Sequence, residues 1–126
     1  MVTVLDIDRR FESLPGFKYY DLQKPVHFDN EFEIILFDPP FFYITLEELN
    51  NGIEVISGKN ASTMKLLMSF MIKDERRVLN AFKKNFNLER TKFDLEYATV
   101  EENRWDNYGL WANCDLPMIK RNRKKK

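Results

Sequence analysis

The chain has 126 residues, a formal net charge of zero, an apolar fraction of 44% and eleven phenylalanines, which allows one packed domain and excludes a disordered chain. One cysteine, Cys114, and one histidine, His27, exclude an internal disulfide and a Cys/His zinc centre and fit a reducing compartment. With no apolar run of membrane-spanning length and no basic-then-apolar leader, the sequence reads as a cytoplasmic protein with no membrane partner.

Taken in chain order, VTVLDID (2–8) is β-branched and continuous, as a strand buried on both faces is. LPG (14–16) is a turn, FKYYD (17–21) a second strand, and FEIILFD (32–38) the clearest buried strand. TLEELNNGIEVI (45–56) predicts a helix, with Thr45 and Glu48 as a capping box and Leu46, Leu49, Ile53 and Ile56 on one face, although Gly52 interrupts it. KLLMSFM (65–71) is a further apolar strand. DERRVLNAFKKNF (74–86) is an amphipathic helix with Val78, Leu79, Phe82 and Phe86 inward. TKFDLEY (91–97) alternates, WDNYGLWANC (105–114) reads as extended, and the two are expected to pair antiparallel. Residues 1–118 make the domain and 119–126 a basic, disordered tail. KRNRKKK (120–126) carries six of the twenty basic residues, leaving 14 basic against 20 acidic, a body near −6. Such a tail is either a solvated end or a phosphate-attracting arm or nuclear address.

Strands alternating with helices predict an α/β sheet, mostly parallel, with an antiparallel pair at its C-terminal end. Ligands of such sheets sit outside the carboxyl ends of the strands. Those ends carry Asp6 or Asp8, then Asp21, then Asp38. The competing roles are helix capping for Asp6 or Asp8 and an Asx turn for Asp21.

The DPPF segment (38–41) is the most specific of these sites. Asp38 precedes a proline, so its backbone stays extended. Pro39 and Pro40 fix φ and lack N–H groups, yet their carbonyls accept. An acid and a proline carbonyl near one point suit a group with two N–H donors, an –NH2, and Phe41 offers a flat face for a planar group. Holding both N–H groups of an exocyclic amine favours a pyramidal nitrogen that can attack a methyl sulfonium, with Asp38 placed to accept a proton. The alternative for these residues is a strand-ending turn whose Phe packs in the core.

VLDIDRRF (4–11), YYDLQKP (19–25), FEIILFDPPFF (32–42) and, more loosely, NRWDNYGLWANCDL (103–116) resemble the Asp-Pro-Pro-Phe/Tyr class of S-adenosylmethionine-dependent methyltransferases. The closest resemblance is to the probable N6-adenine methyltransferase family, which includes lysine methyltransferases of elongation factor 1-alpha. The resemblance implies a Rossmann-like sheet, S-adenosyl-L-methionine as cofactor, and an amine acceptor, either adenine N6 in nucleic acid or a lysine of a protein such as a translation elongation factor. It also implies cofactor binding by Asp6, with Asp8 as the near alternative for the ribose hydroxyls, and by Asp21 at the adenine amine. Asp38, Pro39, Pro40 and Phe41 fall on the acceptor motif. One departure stands out: the family begins with a strand and a glycine-rich turn, whereas none of Gly16, Gly52, Gly58 and Gly109 forms a G-x-G. The chain starts at what would be the second strand. Loss of the first would split the sheet and expose edges, so the expected object is N-terminally incomplete, completed by a partner chain or acting as a non-catalytic subunit or scaffold.

Overall fold

A computed structural model of the chain describes residues 2–28, 32–39, 44–93 and 107–121. Its first strand, β1 (Val4–Asp6), is followed by a 3₁₀ turn (Arg9–Phe11) and β2 (Phe17–Tyr19). Then come β3 (Ile34–Phe37), α1 (Leu46–Ser57), β4 (Lys65–Met71), α2 (Glu75–Phe82), β5 (Glu89–Arg90) and β6 (Tyr108–Ala112). The strands form two sheets: a parallel pair β1-β2, and a four-stranded sheet in the order β3-β4-β6-β5. Within the second, β3 and β4 are parallel, whereas β6 is antiparallel to both β4 and β5. The described pairings thus divide evenly between parallel and antiparallel, where the sequence predicts a mostly parallel sheet.

Helix α1 forms where its sequence places it. Thr45 accepts from the Glu48 N–H at 3.0 Å, and the Glu48 carboxylate accepts from the Thr45 N–H at 3.0 Å, completing the capping box. Gly52 does not end the helix; a Cβ there would meet the Leu22 side chain and carbonyl at 3.0 Å. The missing side chain lets the segment after β2 lie against α1. Gly16, in the turn before β2, has φ +79°, a backbone that non-glycine residues rarely adopt, and its carbonyl accepts from the Val4 N–H at 3.0 Å.

Both helices lie on one face of the larger sheet. Leu46, Leu49 and Ile53 from α1 and Val78 and Phe82 from α2 pack with Leu66, Met68 and Phe70 of β4 and with Trp111 of β6. Phe86 joins the same cluster, and Leu79 packs against it from the side. On the opposite face Leu67, Leu110 and Ala112 are covered by Leu116 and Ile119. The covering segment is held by an Arg121 guanidinium that donates to Asp115 at 3.0 Å and pairs with Glu89 at 3.5 Å. Ile119, Lys120 and Arg121, which the sequence assigns to the tail, are therefore anchored.

Two strand readings need correcting. The 32–38 strand is not buried on both faces: Ile35 and Phe37 pack on the core, but Ile34 is 41% and Leu36 72% exposed. The cause is layering, because both helices cover the Ile35/Phe37 face and the described residues place no layer over the other. The 2–8 strand is only half-buried at Val4–Asp6, with Val2 and Ile7 exposed; its only strand neighbour among the described residues is β2. Of the 91–97 strand, residues 94–97 lie outside the described residues. The antiparallel pairing seen there joins Glu89 to Ala112 and Arg90 to Trp111.

Because the capping box satisfies two N–H groups at the start of α1, Thr45→Ala should lower unfolding stability by about 1 kcal/mol, measured by urea denaturation.

Candidate functional site

Parallel pairing fixes where the acids go. β1 and β2 align Asp6 with Tyr19, so Asp6 and Asp21 emerge at the same end of the smaller sheet. β3 and β4 align Phe37 with Met68, which sets Asp38 beside Ser69 at the carboxyl end of the larger sheet. The Asp21 turn and the segment after Asp38 are linked through α1: Gln23 donates to Glu48 at 3.2 Å, and Glu48 lies in the first turn of the helix that begins eight residues after Asp38.

Each acid has a distinct environment. Asp8 caps the Arg9–Phe11 turn, accepting from the Arg10 N–H at 2.9 Å and pairing with the Arg10 guanidinium at 2.6 Å. Hydrogen bonding to that guanidinium holds its carboxyl below the usual carboxylate value. The capping alternative for Asp8 is thus what the fold uses. Half-buried Asp6 accepts from the Asp8 N–H at 2.8 Å through Oδ1. Half-buried Asp21 accepts from the Gln23 N–H at 2.9 Å, also through Oδ1, in an Asx turn. In both, Oδ2 has no hydrogen-bond partner among the described residues.

Asp38 is exposed, yet the protein atoms around its carboxyl withdraw it in part from water and push its pKa up, while a hydrogen bond from the Ser69 hydroxyl partly opposes that. Pro39 beside it is buried. Pro40 and Phe41, with Phe42 and Tyr43, lie outside the described residues.

Sequence reasoning missed two supporting residues. Ser69 is buried in an otherwise apolar strand, and that lone hydroxyl in KLLMSFM was the available signal. Tyr20 is buried, and its hydroxyl donates to the Val26 carbonyl at 2.7 Å while accepting from the Val26 N–H at 2.9 Å. Burial raises the Tyr20 pKa, so the hydroxyl stays protonated and clamps the loop that carries Asp21. His27, an exposed loop residue, packs its ring near Gly58, and Cys114 is a half-buried free thiol. Among the described residues no group of three or more His, Cys, Asp or Glu could hold a metal ion, and no helix is long and apolar enough to cross a membrane.

The chain is a mixed α/β protein with acids at the carboxyl ends of parallel strands, the edge at which ligands of α/β sheets sit. Over residues 1–116 it matches the family model described as probable N6-adenine methyltransferase, and the chain belongs to that family. No curated protein and no solved structure matches it.

Two outcomes follow from these contacts. A carboxyl whose folded pKa lies above its unfolded value binds more protons folded than unfolded, so its contribution is fully present below the ordinary value of 3.8 and is lost as pH rises through the folded pKa. Asp38→Asn should therefore gain stability relative to wild type as pH is raised from about 3 to about 7, read by urea unfolding. Tyr20→Phe should cost about 1 kcal/mol by removing both hydrogen bonds to the Val26 backbone, with faster amide exchange at Val26 as the local readout.

Proposed function

We propose that this chain is an S-adenosylmethionine-dependent N-methyltransferase acting on the exocyclic amine of adenine in nucleic acid. The observation that carries the proposal is Asp38: a carboxylate at the strand end, raised by burial, followed by a buried proline, in a chain of this family. When bound, the cofactor supplies an electrophilic methyl group on a sulfonium. Asp38 accepts a hydrogen bond from the acceptor –NH2, orients its lone pair, and takes up the proton that the nitrogen loses on methylation. Its raised proton affinity favours that uptake. Pro39 fixes the direction in which the chain leaves β3. A proline carbonyl, that of Pro39 or Pro40, serves as the second acceptor and Phe41 as the stacking face; for Pro40 and Phe41 the support is the sequence alone.

The half-buried edge of the smaller sheet fits the cofactor's nucleoside. Asp6 and Asp21 each retain a carboxylate oxygen without a protein partner, suited to ribose hydroxyls and an adenine amine respectively. Asp8 is the weaker candidate because Arg10 holds its carboxylate. The alternative acceptor is a protein lysine, whose pKa of about 10.4 demands proton removal before transfer. The family description favours adenine; an acidic body suits a basic protein partner.

A second reading has its own observation. β3 is an edge strand among the described residues and carries the exposed Ile34 and Leu36. This supports a non-catalytic or incomplete methyltransferase-like subunit that pairs β3 with a strand from further polypeptide.

Asp38→Ala should lower methyl transfer by about 100-fold or more while leaving cofactor affinity unchanged by calorimetry. Wild-type turnover in the variant removes the assigned role. Labelled cofactor shows whether methyl enters nucleic acid or protein. Clear cofactor binding by the wild-type chain alone removes the scaffold reading.

A further inference from the structure

A groove of about 530 Å³ runs along the outer side of α2 and the turn after it, lined by Glu75, Arg76, Leu79, Asn80, Lys83, Asn87 and Leu88. Arg76 and Asn80, four residues apart, share a stripe of α2; Lys83 caps the helix's C-terminal end, and Asn87, beyond the turn that follows, lines the same groove. All four are exposed, and none of their side chains has a hydrogen bond or ion pair among the described residues. The acid in the groove, Glu75, is already paired with Arg90 at 3.2 Å. Arg77, outside the groove, is likewise engaged by Asp74 at 3.3 Å. The fold has thus neutralised the groove's carboxylate and left its two cations and two amides without protein partners.

We propose that this groove is a track for the sugar-phosphate backbone of a single nucleic-acid strand, leading toward the Asp38 edge. Three features argue for a strand. First, Arg76 and Lys83 are seven residues apart, about 10 Å along the helix axis, a spacing suited to a polyanion with repeating charge. Second, the amides of Asn80 and Asn87 lie between and beyond the cations and can donate to phosphate or sugar oxygens, while Leu79 and buried Leu88 give an apolar floor. Third, α2 starts one 3₁₀ turn (Ile72–Asp74) after β4, which runs parallel to β3, so the Arg76 end of the groove lies toward the same sheet edge as Asp38. The groove also answers a difficulty of charge. A body near −6 (14 basic against 20 acidic residues outside the tail) repels nucleic acid in general, so binding needs a local positive lane.

This inference rests on the nucleic-acid reading of the acceptor, and the experiment separates the two. Fluorescence anisotropy against salt would be measured with an adenine-containing and an adenine-free single-stranded oligonucleotide of equal length. Wild type, the double variant Arg76→Gln/Lys83→Gln and Asp38→Ala would be compared, with thermal melts by circular dichroism confirming that each is folded. Both substituted groove positions are exposed, so the double variant is expected to fold. It should bind both oligonucleotides about tenfold or more weakly, and its log–log salt slope should fall by about 1.4, the loss of two phosphate contacts on a single strand. Asp38→Ala should retain wild-type affinity for the adenine-free strand. Unchanged affinity and slope in the double variant overturn the track while leaving an adenine acceptor intact. No binding by wild type at low salt overturns the track and the nucleic-acid reading together. An acidic peptide of equal charge that binds as tightly as the oligonucleotide, with the same loss in the double variant, overturns the track in favour of a protein partner.

Discussion

The parallel ladder between β3 and β4 is the constraint on which the site depends. Residues 34–37 align one for one with residues 65–68, and a parallel register fixes which residue of each strand reaches the carboxyl edge at the same height. Asp38 is thereby set next to Ser69, whose hydroxyl bonds its carboxylate. A slip of one residue would exchange the two faces of β3, sending Phe37 away from Phe82, whose ring centroid lies 6.1 Å from its own, and turning the acid toward the apolar core. The packing of Phe37 therefore sets the position of Asp38. The proline that follows then keeps the chain from continuing in any helical direction.

Layering explains the rest of the architecture. α1 and α2 share one face of the larger sheet, and their cluster with β4 and Trp111 is the main core. The other face is covered under β4 and β6 by Leu116 and Ile119 but is open at Ile34 and Leu36. The two sheets are bridged in turn by the segment that follows β2, where Leu22 lies against Gly52 and Tyr20 folds the loop back onto Val26. That bridge carries Asp21. A buried tyrosine thus does for one acid what the β3–β4 register does for the other.

What could be read from the sequence followed from how local the determining forces are. The α1 capping box, its buried face and the limits of β4 depend on neighbours within a turn or on a run of apolar residues bounded by polar ones, and they stand where expected. The end of β3 at Phe37 was legible because the proline at position 39 restricts the backbone by covalent structure alone. The half-open state of β3 was not legible: Ile-Ile-Leu-Phe is apolar at every position, so its sequence carries no alternation from which to tell a covered face from a bare one. Nor was the insertion of β6 between β4 and β5, which joins residues some forty positions apart by antiparallel pairing. Ser69 and Tyr20 matter through hydroxyl contacts that only the folded chain creates.

The same carboxylate that is costly to bury suits the chemistry proposed for it. Partial burial raises the proton affinity of Asp38, which makes the ion a stronger acceptor; the Ser69 hydrogen bond pulls the other way, stabilising the charged form. Were burial to act alone and fully, the group would be neutral and would donate where it is needed to accept. Were it fully solvated, water would compete for its lone pairs and blunt its pull on an amine. A carboxylate offers about four acceptor positions, so one bond to Ser69 leaves room for an incoming N–H. With Pro39 buried beside it and Asp38 itself exposed, an amine arriving from solvent would meet an acceptor whose place the β3–β4 register has set.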